Sequence, residues 1–144
     1  MKYLFDTSVC IAGFIKNHPN HAIALSWLQK GKEKTIQFYI CAHSILEIYS
    51  VLTRAPFQPR ITPSMAKEFI KHNLKSNATI LTLTQNDYFI LIDKMVNLEL
   101  SGGIIYDGMI VQCAEKHRID NILTLNHKDF IMLTPNKNIN IISL

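Results

Sequence analysis

The sequence has 144 residues, of which 48% are hydrophobic and 18% charged, a composition typical of a folded globular chain and not of a disordered one. Its net charge of +4 and its pI near 9.0 are compatible with a polyanionic partner but do not require one. The three cysteines lie in apolar surroundings, which favours reduced core residues over a disulfide framework. The first residues lack the pattern of a signal peptide and no apolar run is long enough to cross a membrane, so we expect a single cytoplasmic domain over residues 1–144 without a signal peptide.

Predicted strands and helices alternate along the chain. In chain order they are a strand at 3–5, helices at 9–15 and 22–30, a strand at 35–40, helices at 42–54 and 64–74, a strand at 78–84, helices at 85–100 and 106–118, and strands at 121–125 and 139–144. We expect Gly31 to end the second helix, Thr62 to cap the helix at 64–74, and Thr84 with Asp87 to form a capping box. The alternation predicts an α/β fold with three layers, in which helices cover both faces of a parallel sheet of four to five strands.

Asp6 lies where the first predicted strand ends and the first helix begins. In open α/β sheets the carboxyl ends of the strands form the crevice in which ligands bind. The alternative is that Asp6 caps the helix, with Thr7 or Ser8 as competing caps. Taken alone, this one acidic residue favours the capping role.

Glu47 lies inside a helix that is apolar on most sides. It shares one stripe at helical spacing with His43, Ser50 and Arg54. The stripe is either a solvated face of a largely buried helix or the lining of a cleft. Asp107 begins the helix at 106–118, where an acid near a helix start is commonly explained by capping or by the helix dipole.

Asp6 lies at a strand end, Glu47 in an apolar helix and Asp107 at a helix start, and these placements suggest that the fold brings the three acids together at one site. Carboxylates that converge in one crevice repel each other unless a cation joins them. Mg²⁺ and Mn²⁺ prefer oxygen ligands, and they polarise phosphate groups and lower the pKa of a bound water. The chemistry that such a site implies is phosphodiester hydrolysis.

The order of these motifs resembles that of the PIN-domain ribonucleases, and most closely that of the VapC-type toxins of toxin–antitoxin pairs. The stretches that carry the resemblance are YLFDTSV, SILEIYSVLTR, GGIIYDGMIVQCAEK and ILTLNHKDF, and together they span nearly the whole chain. The resemblance implies a PIN-like fold and a catalytic site in which Asp6, Glu47 and Asp107 are the metal-binding acids and Ser8 forms a hydrogen bond close to Asp6.

The family often places a further acid just after the next strand, and this chain departs from that pattern. Asn126 stands at that position, and Asp129 follows three residues later. An asparagine carbonyl oxygen can coordinate a metal but carries no charge to offset a second ion. Both Asn126 and Asp129 are therefore candidates for the fourth metal-site position.

The resemblance also implies the reaction and the partners. It implies Mg²⁺- or Mn²⁺-dependent hydrolysis of RNA, with tRNA or rRNA as the expected substrate, that leaves a 5′-phosphate and a 3′-hydroxyl. It further implies a homodimer and a cognate VapB-type antitoxin, whose tail occupies the acidic cleft, often with a basic side chain.

Basic and aromatic residues near these motifs have less specific interpretations. Arg54 and Arg60 flank a proline-rich crossing and are candidates for holding RNA phosphate, with Arg54 favoured because it shares the stripe of Glu47. His43 is interpreted as a surface residue or one that supports the metal site from behind the ligands. Three lysines recur at helical spacing and form a basic helix face: Lys67, Lys71 and Lys75. Four aromatic residues have the spacing of core residues: Trp27, Tyr39, Tyr49 and Phe69.

Two other functions fit parts of the pattern. A phosphatase of the haloacid-dehalogenase type would use the acid after the first strand as its nucleophile, but it requires a second Asp where Ser8 stands. A catalytically silent PIN-fold module that binds RNA or protein is disfavoured by the retained acids and kept open by Asn126.

Overall fold

The computed structural model describes residues 1–136 and 138–144, and within them five β-strands alternate with seven α-helices. The strands are β1 (Lys2–Phe5), β2 (Gln37–Cys41), β3 (Thr79–Leu81), β4 (Asn121–Thr124) and β5 (Asn140–Ser143). The helices are α1 (Thr7–Phe14), α2 (His21–Lys32), α3 (Ala42–Arg54), α4 (Pro63–Ile70), α5 (Gln85–Asn97), α6 (Ile104–Lys116) and α7 (His127–Leu133), and a π-helical turn (Lys71–Lys75) continues α4.

The strands form one parallel sheet in the order β3-β2-β1-β4-β5. The chain builds outward from β1 to β2 and β3 and then returns to the other side of β1 with β4 and β5. The direction of winding therefore reverses between β1 and β4, and in open α/β sheets the crevice at such a reversal is the usual ligand site. The predicted parallel sheet in an α/β fold is confirmed.

Two hydrophobic cores lie on opposite faces of the sheet. Adjacent residues of a strand point to opposite faces, so Leu4 and Phe5 of β1 belong to different cores, as do Ile122 and Leu123 of β4. Leu4 and Ile122 pack with residues of α5, α6 and α7, whereas Phe5 and Leu123 pack with residues of α1 to α4. All four side chains are fully buried, and each is expected to stabilise the fold by about 1.5–3 kcal/mol.

Local capping signals were predicted correctly. The Thr62 hydroxyl accepts a hydrogen bond from the backbone N–H of Met65, with Pro63 in the first turn of α4. Thr84 and Asp87 form the expected reciprocal capping box of α5. Both motifs lie within a few consecutive residues, and therefore do not depend on the rest of the fold.

The predicted end of α2 at Gly31 is wrong, because the helix continues to Lys32. A β-carbon at Gly31 would lie 2.8 Å from the Cδ1 atom of Phe38 in β2. The glycine thus allows α2 to pack closely on the sheet and does not end the helix. Tyr49 was expected in the core, but it lies on the outer side of α3 with 40% of its surface exposed.

Two further differences concern the second half of the chain. Helix α6 begins at Ile104, two residues before its predicted start, which places Asp107 in its first turn. The short helix α7 had no predicted counterpart, and it positions Asp129. In the part of the chain that the structure describes, no helix combines the length and the apolar character needed to span a bilayer.

Candidate active site

Asp6 occupies the junction between β1 and α1 at the point where the sheet changes its winding direction. Its backbone N–H donates to the carbonyl oxygen of Leu123 in β4 (2.9 Å), which joins the two strand ends. Asp6 stands at the N-cap position of α1, but its side chain makes no capping hydrogen bond. The capping role that the isolated residue favours is therefore wrong, and the carboxylate is held in another way.

Two hydroxyl groups hold one oxygen of the buried Asp6 carboxylate. Ser8 Oγ and Thr124 Oγ1 donate to Asp6 Oδ2, at 2.6 and 2.8 Å. The same two hydroxyl oxygens accept the backbone N–H groups of Leu125 (3.1 Å) and Asn126 (2.8 Å). Because each hydroxyl already accepts a backbone hydrogen, its own hydrogen is left for the carboxylate.

Burial is the main cause that raises the pKa of Asp6 above its usual value, and the negative charge of Glu47 adds to it. The hydrogen bonds from Ser8 and Thr124 act in the opposite direction without cancelling these effects. Asp6 is only 4% exposed. The site therefore holds a carboxylate whose charge is not fully compensated by the protein.

Glu47 faces this carboxylate from α3. Thr7 Oγ1 donates to Glu47 Oε2 (3.1 Å), and the Nε2 atom of His43 lies 3.5 Å from the same oxygen. The contact with His43 is the main cause that lowers the pKa of Glu47, and the Thr7 hydrogen bond lowers it further against the opposing effect of burial. Glu47 thus remains ionised beside Asp6.

Asp107 and Asp129 lie on two different helices and are joined by one amide group. Asn126 Nδ2 donates to Asp107 Oδ2 (3.1 Å) and to Asp129 Oδ2 (2.7 Å). Asn126 stands at the N-cap position of α7 without capping it, so its side chain is free to make this bridge. The two N–H groups of the amide thus reduce the repulsion between the two carboxylates, as a cation between them would.

Burial raises the pKa of Asp107 to about 6, and the charges of Asp6, Asp129 and Glu47 each contribute to this rise. These effects require the four acids to lie near one another. We call Asp6, Glu47, Asp107 and Asp129 the acid cluster. The fold thus brings the three acids singled out in the sequence close to one another and to Asp129.

The raised pKa of Asp107 predicts a pH-dependent stability of the metal-free protein. An acid whose pKa is higher in the folded than in the unfolded state stabilises the fold when protonated, and this contribution is lost as the pH rises through about 6. We therefore expect Asp107→Asn to raise the melting temperature in EDTA at pH 7.5 and to raise it considerably less at pH 4.5. Two pKa units correspond to about 3 kcal/mol, which solvent screening reduces to about 1–2 kcal/mol, or a few degrees. Equal effects at both pH values in thermal melts would contradict this origin.

The two arginines proposed for RNA binding differ in their contacts. Arg60 Nη1 donates to the carbonyl oxygens of Arg54 (3.4 Å) and Ala55 (2.8 Å) at the end of α3. A cation there interacts favourably with the helix dipole, so Arg60 stabilises the helix end. Arg54 is exposed on the stripe of Glu47, about two helical turns away. RNA binding by either residue stays a prediction.

The acid cluster has the donor chemistry that suits a hard divalent cation. Its side-chain donors are all oxygens, and the pKa of Asp107 is raised first by burial and then by the negative charges of Asp6, Asp129 and Glu47. Among residues 1–136 and 138–144, no three His, Cys, Asp or Glu side chains are grouped closely enough to hold a metal ion. This spacing still suits Mg²⁺, which keeps several waters and uses one or two carboxylates.

Two residues of the site were not singled out in the sequence as functional. Thr124 is fully buried and ends a strand whose residues are all buried, so its sequence context does not distinguish it from a core residue. Thr7 is explained in the sequence by helix capping alone. One signal could have identified Thr7 and Thr124. Each is a hydroxyl residue close to the carboxyl end of a strand, at the edge of the sheet where Asp6 lies.

Comparison with known proteins connects this geometry to one family. A family model described as PIN domain matches residues 3–131. Ribonuclease VapC27 of Mycobacterium tuberculosis is 30% identical over 115 residues, which cover 80% of this chain and 78% of the relative. Ribonuclease VapC40 of the same organism is 34% identical over 105 residues, which cover 73% and 72%.

Solved structures share the fold at lower identity. VapBC2 from Rickettsia felis, bound to a DNA fragment from its promoter, aligns with a TM-score of 0.70 and 17% identity over 100% of this chain and 99% of that one. VapC20 of Mycobacterium tuberculosis, a toxin that cleaves the sarcin-ricin loop, aligns with a TM-score of 0.64 and 15% identity over 83% and 86%. The match to residues 3–131 and the two ribonuclease relatives at 30% and 34% identity show that the chain belongs to the PIN domain family and resembles its VapC-type members.

Proposed function

We propose that this chain is a Mg²⁺- or Mn²⁺-dependent endoribonuclease, the toxin of a toxin–antitoxin pair, which hydrolyses RNA phosphodiester bonds at the acid cluster. The observation that carries the proposal is the convergence of Asp6, Glu47, Asp107 and Asp129: burial raises the pKa of Asp107 to about 6, and the charges of the other three acids add to this rise. Relatives named ribonucleases, at 30% and 34% identity, support RNA as the substrate class.

Each residue of the site has a distinct proposed role. Asp6, Glu47 and Asp107 hold the cation, one or two of them directly and the rest through its bound water, with Asn126 or Asp129 at the fourth position. When bound, the cation lowers the pKa of a water and offsets charge on the scissile phosphate. Ser8 and Thr124 hold Asp6 in its buried position through hydrogen bonds of 2.6 and 2.8 Å.

RNA outside the reaction centre is held by positive charge. Arg54 is the stronger candidate for a phosphate contact because its side chain is exposed on the stripe that contains Glu47. Arg60 contributes through its position at the end of α3, where it also fixes the backbone beside Arg54. A tRNA or rRNA is the proposed substrate.

An apolar groove between α3 and α4 suits the antitoxin. Its volume is about 680 Å³, and it is lined by Ile45, Leu46, Tyr49, Pro63, Ser64, Lys67, Ile70, Lys71 and Lys75. Leu46, which lines this groove, is 74% exposed and lies on the same helix as Glu47. We propose that a VapB-type antitoxin places an apolar segment here, with acidic residues opposite the lysines and a basic side chain at the acid cluster. Solved relatives named VapBC support this partner.

A second exposed apolar surface suits a second copy of the chain. Four residues form a stripe along α5 with 46–69% of their surface exposed: Tyr88, Phe89, Ile92 and Val96. Apolar stripes of this kind are usually covered by a partner. We propose a homodimer through α5.

The free, buried cysteines Cys10, Cys41 and Cys113 are consistent with the reducing conditions of a cytoplasmic protein.

A catalytically silent binding module is the alternative, and one observation favours it. The Asn126 amide already bridges Asp107 and Asp129, so part of the charge is compensated without a cation. This module would bind RNA or protein through the same surface without cleaving RNA.

The decisive experiment incubates total cellular RNA with the purified, antitoxin-free protein in Mg²⁺ or Mn²⁺ and maps the new 5′ ends. We expect discrete cuts that carry 5′-phosphates and disappear in EDTA. Cleavage that persists in EDTA would contradict the proposed metal dependence. A bound metal ion without any cleavage would favour the silent module.

A further inference from the structure

Two histidine–glutamate pairs of identical spacing occur in the chain. His43 and Glu47 are separated by one helical turn in α3, with His43 Nε2 3.5 Å from Glu47 Oε2. His72 and Glu68 have the same separation in α4 and its π-helical continuation, at 3.1 Å. The second pair is highly exposed, with 71% and 53% of the side chains accessible, whereas the His43 side chain is 25% exposed and lies beside the acid cluster.

The two oxygens of Glu47 have different surroundings. Oε2 accepts the hydroxyl hydrogen of the buried Thr7 at 3.1 Å and also faces His43. Within residues 1–136 and 138–144, no hydrogen bond reaches Oε1. One oxygen is therefore held from two sides, and the other remains available to a ligand of the acid cluster.

The imidazole ring of His43 is partly buried and makes few polar contacts. It lines a cavity of about 140 Å³ together with Cys41, Leu81, Tyr88 and Cys113. Its Nδ1 atom is buried and has no hydrogen-bond partner in the part of the chain that the structure describes. A buried polar atom without a partner is costly. In this position the His43 ring thus makes its polar contact through Nε2, with the carboxylate of Glu47.

We propose that His43 is a positioning residue that, together with Thr7, holds Oε2 of Glu47 and so presents Oε1 to the divalent cation. This inference rests on the proposed function. Groups that orient a metal ligand from behind it typically change metal affinity or activity by about 10–100-fold when removed. His43 acts through Glu47 and does not itself contact the cation or the RNA.

The test compares two substitutions of similar size that differ in their ability to donate a hydrogen bond. His43→Leu removes the donor and keeps apolar volume, whereas His43→Gln keeps an N–H group within reach of Glu47. The metal-free wild-type protein and both variants are titrated with Mn²⁺ by calorimetry at pH 7.5, and His72→Leu serves as the matched control. Melting temperatures in EDTA verify that each variant is folded.

We expect His43→Leu to weaken Mn²⁺ binding by about tenfold or more, and His43→Gln to stay within about threefold of the wild type. His72→Leu should bind Mn²⁺ like the wild type. Unchanged affinity in His43→Leu would overturn the inference while the proposed function stands. Equal losses in the Leu and Gln variants would also overturn it, because a structural role or direct ligation would then explain them. Failure of the wild type to bind Mn²⁺ would overturn the proposed function and this inference together.

Discussion

Replacing Asp6 with asparagine is expected to lower the rate of RNA cleavage by about a hundredfold to a thousandfold and to leave the protein folded. Asparagine has nearly the same shape, and its carbonyl oxygen can accept the hydrogen bonds that Ser8 and Thr124 donate to Asp6 Oδ2. It lacks the charge that holds the cation. The loss of several kcal/mol of transition-state stabilisation by a cation corresponds to the stated factor.

The measurement is the cleavage rate of one defined RNA in Mn²⁺, with melting temperatures recorded in EDTA. Glu33→Gln is the control, since Glu33 is an exposed acid at the end of α2, away from the acid cluster and from α5. Because burial raises the pKa of Asp6, removal of its charge should not lower the melting temperature of the metal-free protein at pH 7.5. EDTA-sensitive cleavage at the wild-type rate in Asp6→Asn would mean that another set of residues binds the cation.

The elements of the fold that depend on neighbouring residues could be predicted from the sequence. Helix α3 begins and ends at its predicted residues, and the Thr84–Asp87 capping box forms within four residues. The order of the strands could not be predicted in the same way. Strand β1 pairs with β4, more than 110 residues later, and this pairing depends on how the two cores pack on the sheet.

The same distinction applies to the site. Asp6, Glu47 and Asp107 are conspicuous because each interrupts an apolar stretch. Thr124 was overlooked because a threonine at the end of a buried strand is ordinary for strand composition. Its contact with Asp6 spans 118 residues and exists only once β1 and β4 are paired.

Asn126 was recognised as a departure from the family pattern, but the bridge that it forms was not foreseen. Its amide group donates to Asp107 and Asp129, which lie on separate helices. Because α7 was not predicted, the direction of Asp129 toward the site could not be inferred from the sequence. The fourth position of the site thus depends on a helix that only the structure reveals.

Replacing Asn126 with aspartate is expected to destabilise the metal-free protein and to strengthen its response to metal. The change removes two hydrogen bonds to carboxylates, of 3.1 and 2.7 Å, and adds a negative charge between Asp107 and Asp129. Hydrogen bonds to charged groups contribute about 1.5–3 kcal/mol each, a value that exposure of Asn126 reduces. We expect a loss of about 1–3 kcal/mol at pH 7.5 in EDTA, or several degrees in melting temperature.

Saturating Mn²⁺ should restore this loss and raise the melting temperature by more than it does in the wild type, because a ligand that binds only the folded state stabilises it more, the lower its dissociation constant. Asn126→Ala is the control that separates charge from hydrogen bonding, since it removes the donor without adding an acid. It should be destabilised less than Asn126→Asp and gain no extra stabilisation from Mn²⁺ relative to the wild type. If Asn126→Asp responded to Mn²⁺ no more strongly than Asn126→Ala, the carboxylate at this position would not bind the cation, and Asp129 would be the better candidate for the fourth ligand.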